Sequence, residues 1–131
     1  DGSASNDSAH MLNEARQSML LQRVNQGGNA MNARETLHMA TAGGASVLNR
    51  NDIGTLAPGY AADIAAFDRR TIDFAGSDWD PVASLIFCGP VKTNYTIING
   101  KIVVAEGQLT TMDMNKMLSE HQRLSHHLMT A

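Results

Sequence analysis

The chain opens on an acid. Asp1-Gly2-Ser3-Ala4-Ser5-Asn6-Asp7 sets a carboxylate ahead of small, loop-forming residues, and a helical pattern follows directly. A strand end, a loop and a helix start read this way in a βα unit, and in a (β/α) barrel such ends and loops form the active-site face. By type alone a terminal Asp is a solvated surface group. What it can do therefore depends on what else the chain supplies.

The chain supplies little. His126 and His127 are adjacent and point to different helix faces, and His121 and His126 are five apart and not cleanly aligned, so a zinc site built on them is not expected. His38 has no second ligand one turn away and reads as a packed or capping histidine. The single Cys88 excludes an internal disulfide and any Cys-pair zinc or deaminase motif. Its context, Leu85-Ile86-Phe87-Cys88, reads as a small buried hydrophobe, and one free thiol fits a reducing, cytoplasmic setting. Gly27-Gly28 and Gly43-Gly44 lack the Lys or the G-x-G spacing of a phosphate loop. Ser3, Ser5 and Ser8 lie near His10, but no strand-elbow glycine pattern surrounds them. From residues alone there is no self-contained active site.

The elements that must position these residues follow in order. Asn6, Asp7 and Ser8 are competent N-caps for a helix from His10 to about Gln26, with Leu12, Ala15 and Met19 on one face, Leu20 and Val24 extending it, and Gly27-Gly28 ending it. Asn32 and Glu35 have capping-box spacing for a second helix that carries Ala33, Leu37 and Ala40 on one face. Gly43-Gly44 interrupts it, Ala45 to Leu48 adds a further turn, and the small residues there would let two helices approach closely. Ala57-Pro58-Gly59-Tyr60 suits a type II turn. Ala62 to Asp68 reads as a short, mostly buried strand, and Arg69 to Asp78 as irregular apart from Ile72 and Phe74. Asp80-Pro81 starts a helix that carries Val82, Leu85 and Ile86 inward. Two β-rich runs flank Asn99-Gly100 as a hairpin, and Glu106-Gly107 closes the second. Met112 to about Met129 is a last helix with Met114, Met117, Leu118, His121, Leu124 and Leu128 on one face, acid toward its start and base toward its end.

Composition narrows the class. The 131 residues suffice for one ordinary domain, and 43% hydrophobic with 18% charged suits a soluble globular protein. A net charge of -3 gives no electrostatic case for nucleic acid or an anionic membrane, and no apolar run approaches the ~20 residues of a membrane span. The eight methionines read as adaptable core filling. Taken as complete, the order of loop, three helices, strands and terminal helix is α+β. A whole barrel, which needs about 250 residues, is excluded. The first residue sits in mid-motif, so a fragment is expected.

Several stretches, in this order and spacing, resemble the C-terminal third of a metal-dependent amidohydrolase. Asp1 to Asn6 is similar to the D-G-x-A-S-N segment after the eighth barrel strand, and Met11 to Arg23 to the helix after it. Glu35 to Thr41 resembles E-x-L-x-M-A-T, and Ile53 to Asp63 resembles I-G-S-L-x-P-G-x-x-A-D. Asp80-Pro81-Val82 and Ile97-Ile98-Asn99-Gly100-Lys101 match D-P-V and V-N-G-K/R. The Ser3-to-Asp7 variant and Leu85 to Pro90 point to the branch that deaminates purine-like and triazine rings.

The resemblance implies an α/β fold: residues 1–50 as the end of a (β/α)8 barrel, 51–110 as the C-terminal strands of a small β-sandwich, and 111–131 as a terminal helix packed back on the body. It implies one divalent metal, usually zinc, with Asp1 as both metal ligand and proton carrier, in a parent that deaminates a small-molecule ring. The ring implied first is 8-oxoguanine; an S-adenosylhomocysteine-type deaminase and a triazine aminohydrolase are the alternatives, and a non-catalytic assembly module is the alternative of another class. The parent is expected to be a homo-oligomer that engages neither nucleic acid nor membrane. The other metal ligands of the family are missing here, and one carboxylate cannot hold catalytic zinc. This chain alone is therefore expected to be inactive, to bind no catalytic metal, and to expose an apolar patch along Leu12 to Val24.

Overall fold

A computed structural model describes residues 9–89 and 91–130, so Asp1 and the loop from Gly2 to Asp7 lie outside the described residues, as do Ser8, Pro90 and Ala131. A group of helices comes first, then a four-stranded antiparallel sheet whose first two strands are separated by a 3-10 turn, Ile72–Phe74, and a further α-helix, then the terminal helix.

Helix α1, Met11–Gln26, starts and stops where its pattern predicts. Gly27 takes φ 100° and donates its N–H to the Arg23 carbonyl at 2.9 Å, closing the C-terminus. The cap at its start is a correction: His10, and not Asn6, Asp7 or Ser8, occupies that position. Ala15 and Met19 are buried as expected, but Leu20 is at the edge of exposure and Val24 is 83% exposed. The reason is placement, since α1 is covered by the helices described next only along its Ala15–Met19 stripe.

Helix α2, Ala33–His38, carries the complete capping box: Asn32 Oδ1 accepts from the Arg34 and Glu35 N–H groups at 2.9 and 3.0 Å, and Glu35 Oε2 accepts from the Asn32 N–H at 2.8 Å. The expected interruption at Gly43-Gly44 does not occur. A π-helical turn, Met39–Gly43, runs on into α3, Gly44–Val47, with helical dihedrals throughout and the Gly44 N–H reaching back five residues to the Met39 carbonyl. The small residues let α1 approach this turn, with Ala40 packed against the core that Ala15 and Met19 enter. They also seat a loop: a Cβ on Gly54 would lie 2.8 Å from the Thr41 carbonyl oxygen, 2.9 Å from Ala42 Cα and 3.0 Å from Ala45 Cβ. His38 is exposed, not packed.

Helix α4, Pro81–Phe87, opens as read, with Asp80 Oδ1 accepting from the Ala83 N–H at 3.0 Å. It turns Ser84 and Ile86 into the core, whereas Val82 stays exposed and Leu85 half-buried. Cys88 is half-buried. Ala15, Met19, Ala33 and Ile86 form the core of this helical layer, flanked by Leu12, Met31, Leu37, Ala40 and Ala83.

The sheet is a simple meander in the order β1-β2-β3-β4. Strand β1, Ile64–Ala66, is shorter and more exposed than its apolar sequence suggested, because it is an edge. Strands β2, Tyr95–Ile98, and β3, Lys101–Ala105, make the predicted hairpin, with Asn99 and Gly100 both at positive φ (48° and 76°) as a type I′ turn requires. A bulge separates Thr96 from Ile97. Glu106 and Gly107 (φ 51° and 75°) repeat that turn chemistry and lead into β4, Gln108–Leu109, a strand the sequence reading did not separate. Helix α5, Met114–Thr130, is capped by Asp113, whose Oδ1 accepts from the Lys116 N–H at 3.0 Å. It was expected to pack back on the body. It buries no residue, and Met117, Leu118, Leu124 and Leu128 all remain exposed. Among the described residues no helix is long and apolar enough to cross a membrane.

Candidate functional site

The described chain comes closest in sequence to Asp1 at the start of α1, and there His10 makes two bonds. Its Nδ1 accepts from the Asn13 N–H at 3.4 Å, and its Nε2 lies 3.0 Å from the Val91 carbonyl oxygen, 81 positions away. A carbonyl can only accept, so Nε2 carries the proton and Nδ1 offers its lone pair. One ring thus caps α1 and ties it to the loop before β2. That loop is itself fixed: Val91 is buried, the Asn94 N–H donates to the Ala66 carbonyl at 2.8 Å, and the Gly107 N–H donates to the Asn94 carbonyl at 2.9 Å. His10 therefore links the helical layer to both ends of the sheet.

Beside this joint runs a groove of about 960 Å³ between the helices, the sheet and the first turns of α5. Leu12, Leu37, Phe67, Leu85, Val104 and Leu109 are among its apolar lining, and His10, Lys92 and Thr93 among its polar lining. Asp63 also borders it, but its Oδ1 is engaged by the Asn99 N–H at 2.7 Å, which pins the hairpin turn to the start of β1. A wall of this kind buries apolar groups and offers little to polarise a bond.

The shifted carboxylates are all shifted the same way. Hydrogen bonds from Arg70, first its side chain and then its backbone N–H, draw Asp68 down to about 2. Arg50 lowers Asp52, Arg34 lowers Asp80 and Arg123 lowers Glu120, each mainly through a side-chain hydrogen bond. Such groups stay ionised at neutrality and are committed to their arginines, which suits structure and not proton transfer. Arg34 and Asp80 form a two-pronged pair at 3.0 Å for each contact, joining the start of α2 to the cap of α4 across 46 positions.

Among the described residues no group of three or more His, Cys, Asp or Glu could hold a metal ion. The described residues therefore do not fit a catalytic metal centre. Asp1, the residue singled out from the sequence as metal ligand and proton carrier, lies outside the described residues. Sequence reasoning did not single out His10 as the cap and tether of α1, although its place directly before the first helical period was a visible signal. The Arg34–Asp80 pair left no such signal.

The model of a family described as the amidohydrolase family matches residues 1–103. The chain is 38% identical over 122 residues to 8-oxoguanine deaminase of Pseudomonas aeruginosa, a match covering 93% of this chain and 27% of that protein. It is 41% identical over 119 residues to hydroxydechloroatrazine ethylaminohydrolase of a Pseudomonas species, covering 86% of this chain and 24% of that one. A crystal structure of an adenosine deaminase from Xanthomonas campestris with bound zinc superposes with a TM-score of 0.90 at 28% identity, over 100% of this chain and 30% of its own. The chain thus spans roughly a quarter to three-tenths of the length of the proteins it matches.

Proposed function

This chain belongs to the amidohydrolase family, and from that premise we propose that it is the C-terminal part of a metal-dependent aminohydrolase that deaminates a purine-like or triazine ring, 8-oxoguanine first among them. The observation that carries the reading is the similarity to deaminases and aminohydrolases along nearly the whole of this chain and only a minor share of theirs. The reaction is hydrolytic: water adds to the ring carbon bearing an exocyclic amine, the C–N bond breaks, and ammonia leaves. A divalent metal, zinc by preference, would supply a water of lowered pKa when bound in the full-length protein. Asp1 is the residue of this chain that would help hold the metal, and its carboxylate would take the proton of the attacking water and return it to the leaving amine. The remaining ligands must come from residues outside this chain, because a catalytic zinc wants about three protein ligands. Residues 1–50 belong to the barrel, 51–110 to the small β-sandwich and 111–131 to a terminal helix, in a homo-oligomeric, cytoplasmic parent. The reading as a non-catalytic module finds no support among the relatives, which are hydrolases and deaminases.

The test is ammonia release by the full-length protein from 8-oxoguanine, S-adenosylhomocysteine and a hydroxylated aminotriazine, with zinc measured on the same sample. Turnover of 8-oxoguanine is expected to be the fastest. Asp1→Asn is expected to lower kcat by about 10²-fold or more, within the range that a positioned proton carrier contributes. Release from none of the three ring amines would sink the proposal.

A further inference from the structure

We propose that Arg16 anchors this chain to the rest of its polypeptide: its guanidinium takes a carboxylate from the part of the protein that lies outside these 131 residues. This rests on the reading of the chain as the C-terminal part of a longer protein, and not on which ring that protein deaminates. Arg16 is half-buried at the border of the Ala15–Met19 stripe, and its Nε is shut off from water without a hydrogen-bond partner. A buried N–H left unpaired is costly, and a guanidinium cannot relieve the cost by losing its proton.

The other arginines show how this chain meets such a group. Arg34, Arg50, Arg69, Arg70 and Arg123 each hold a carboxylate within 3.1 Å. Arg23 donates to the Met31 carbonyl at 2.8 Å and lies over the Phe87 ring at 5.6 Å. The Nε of Arg69 is unpaired too, but its Nη2 reaches both the Ser77 carbonyl and Asp78 at 3.1 Å, so its charge is met. Among the described residues Arg16 is the arginine without a partner. Its own helix offers none: the residues three and four positions to either side are Leu12, Asn13, Met19 and Leu20, none of them acidic.

Arg16 also begins an uncovered surface. Arg16, Leu20 and Val24 follow one another four apart and so form one ridge along α1, and Leu20 and Val24 are exposed. Such a ridge suits a segment that sets an acid opposite Arg16 and apolar groups opposite the two others. That segment has a source. The match to 8-oxoguanine deaminase covers 93% of this chain and 27% of that protein, so most of the parent polypeptide lies elsewhere. Covalent continuity presents it at a high effective concentration, which favours it over a second copy. A carboxylate is the fitting group, because two parallel N–H donors of the guanidinium match its two oxygens and its charge offsets the buried cation.

The experiment uses the full-length protein. Its crystal structure should place a carboxylate oxygen about 3 Å from Arg16 Nε, on a residue outside this chain. Arg16→Met keeps the apolar stem and strands that carboxylate, and should lower the full-length Tm by about 5 °C or more. Replacing the partner acid by its amide should lower Tm by itself, and should lower it little further when added to Arg16→Met. Additive losses would overturn the proposal, as would an Arg16 that meets only water, a carbonyl, a residue of this chain or a second copy. A full-length protein no longer than this chain would remove the C-terminal reading and the proposal together. Ammonia release enters none of these readouts, so a paired Arg16 in a protein that deaminates none of the three rings would uphold the proposal while sinking the substrate reading.

Discussion

The helical layer and the sheet solve the same problem differently. α1, α2 and α4 close a core of their own, in which Met19, Thr36 and Ile86 are almost wholly removed from water. The four strands pair throughout, with one bulge between Thr96 and Ile97, yet none of their residues is fully buried. Backbone pairing completes a sheet without covering its faces, whereas helices that meet along apolar stripes bury side chains by meeting. The helical layer is thus held by burial within this chain. The sheet is held by turn chemistry and hydrogen bonds and leaves apolar surface, including Ile98 and Ile102, to be covered by something else.

That contrast can be broken most forcefully from the core. Met19→Ala should cost about 2–5 kcal/mol, as large-to-small changes at fully buried sites do, while Ile102→Ala, at a residue 53% exposed, should cost no more than about 1 kcal/mol. Urea unfolding of both variants checks this, and equal losses would show the sheet to be as well covered as the helices. The next effect is steric. Gly54→Ala places a Cβ 2.8 Å from the Thr41 carbonyl at a φ of +81° and should cost about 1–3 kcal/mol. Gly28→Ala, with nothing within 4 Å of its Cβ, should be close to silent in the same assay. Asn32→Ala removes the acceptor of the capping box and should cost about 1 kcal/mol. Asp113→Ala, at the cap of an exposed helix, should fray α5 in circular dichroism and leave the main transition unmoved.

The smallest expected effect is electrostatic. Asp68 titrates at about 2 in the folded chain against an ordinary 3.8, and Asp80 is lowered as well by Arg34. A depressed carboxylate adds stability that is complete above its ordinary pKa and is lost as pH falls through the folded value. Stability should therefore decline from about pH 4 toward pH 2, and less steeply at high salt, since these pairs are solvent-exposed. Asp68→Asn should flatten the decline more than Asp80→Asn, because Asp68 carries the larger depression.

What could be read from the sequence was whatever is encoded locally. The Asn32–Glu35 box, the Asp80-Pro81 start, the Pro58-Gly59 turn and the Asn99-Gly100 hairpin each need only a few adjacent residues, and each formed as read. The misreadings concern which face finds a partner. Val24, Val82 and the apolar stripe of α5 have the right spacing, but spacing says nothing of what stands opposite. β1 read as mostly buried because its residues are apolar, and its edge position depends on an order of strands that no single stretch contains. His10 was legible by position alone, since the carbonyl that selects it comes 81 residues later.

The π-helical turn at Met39–Gly43 changes how the chain can be compared with others. A regular helix advances about 100° per residue, so one residue taken up in a wide turn swings everything after it by that angle relative to everything before. Ala45 faces inward because of this swing and not because of its spacing from Ala33 or Leu37. A homologue shorter by one residue between Met39 and Gly43 would keep both helical halves and lose their common orientation. The seat for Gly54 would then turn away from its loop, so a single gap at this point counts as a rotation and not as a trimmed loop.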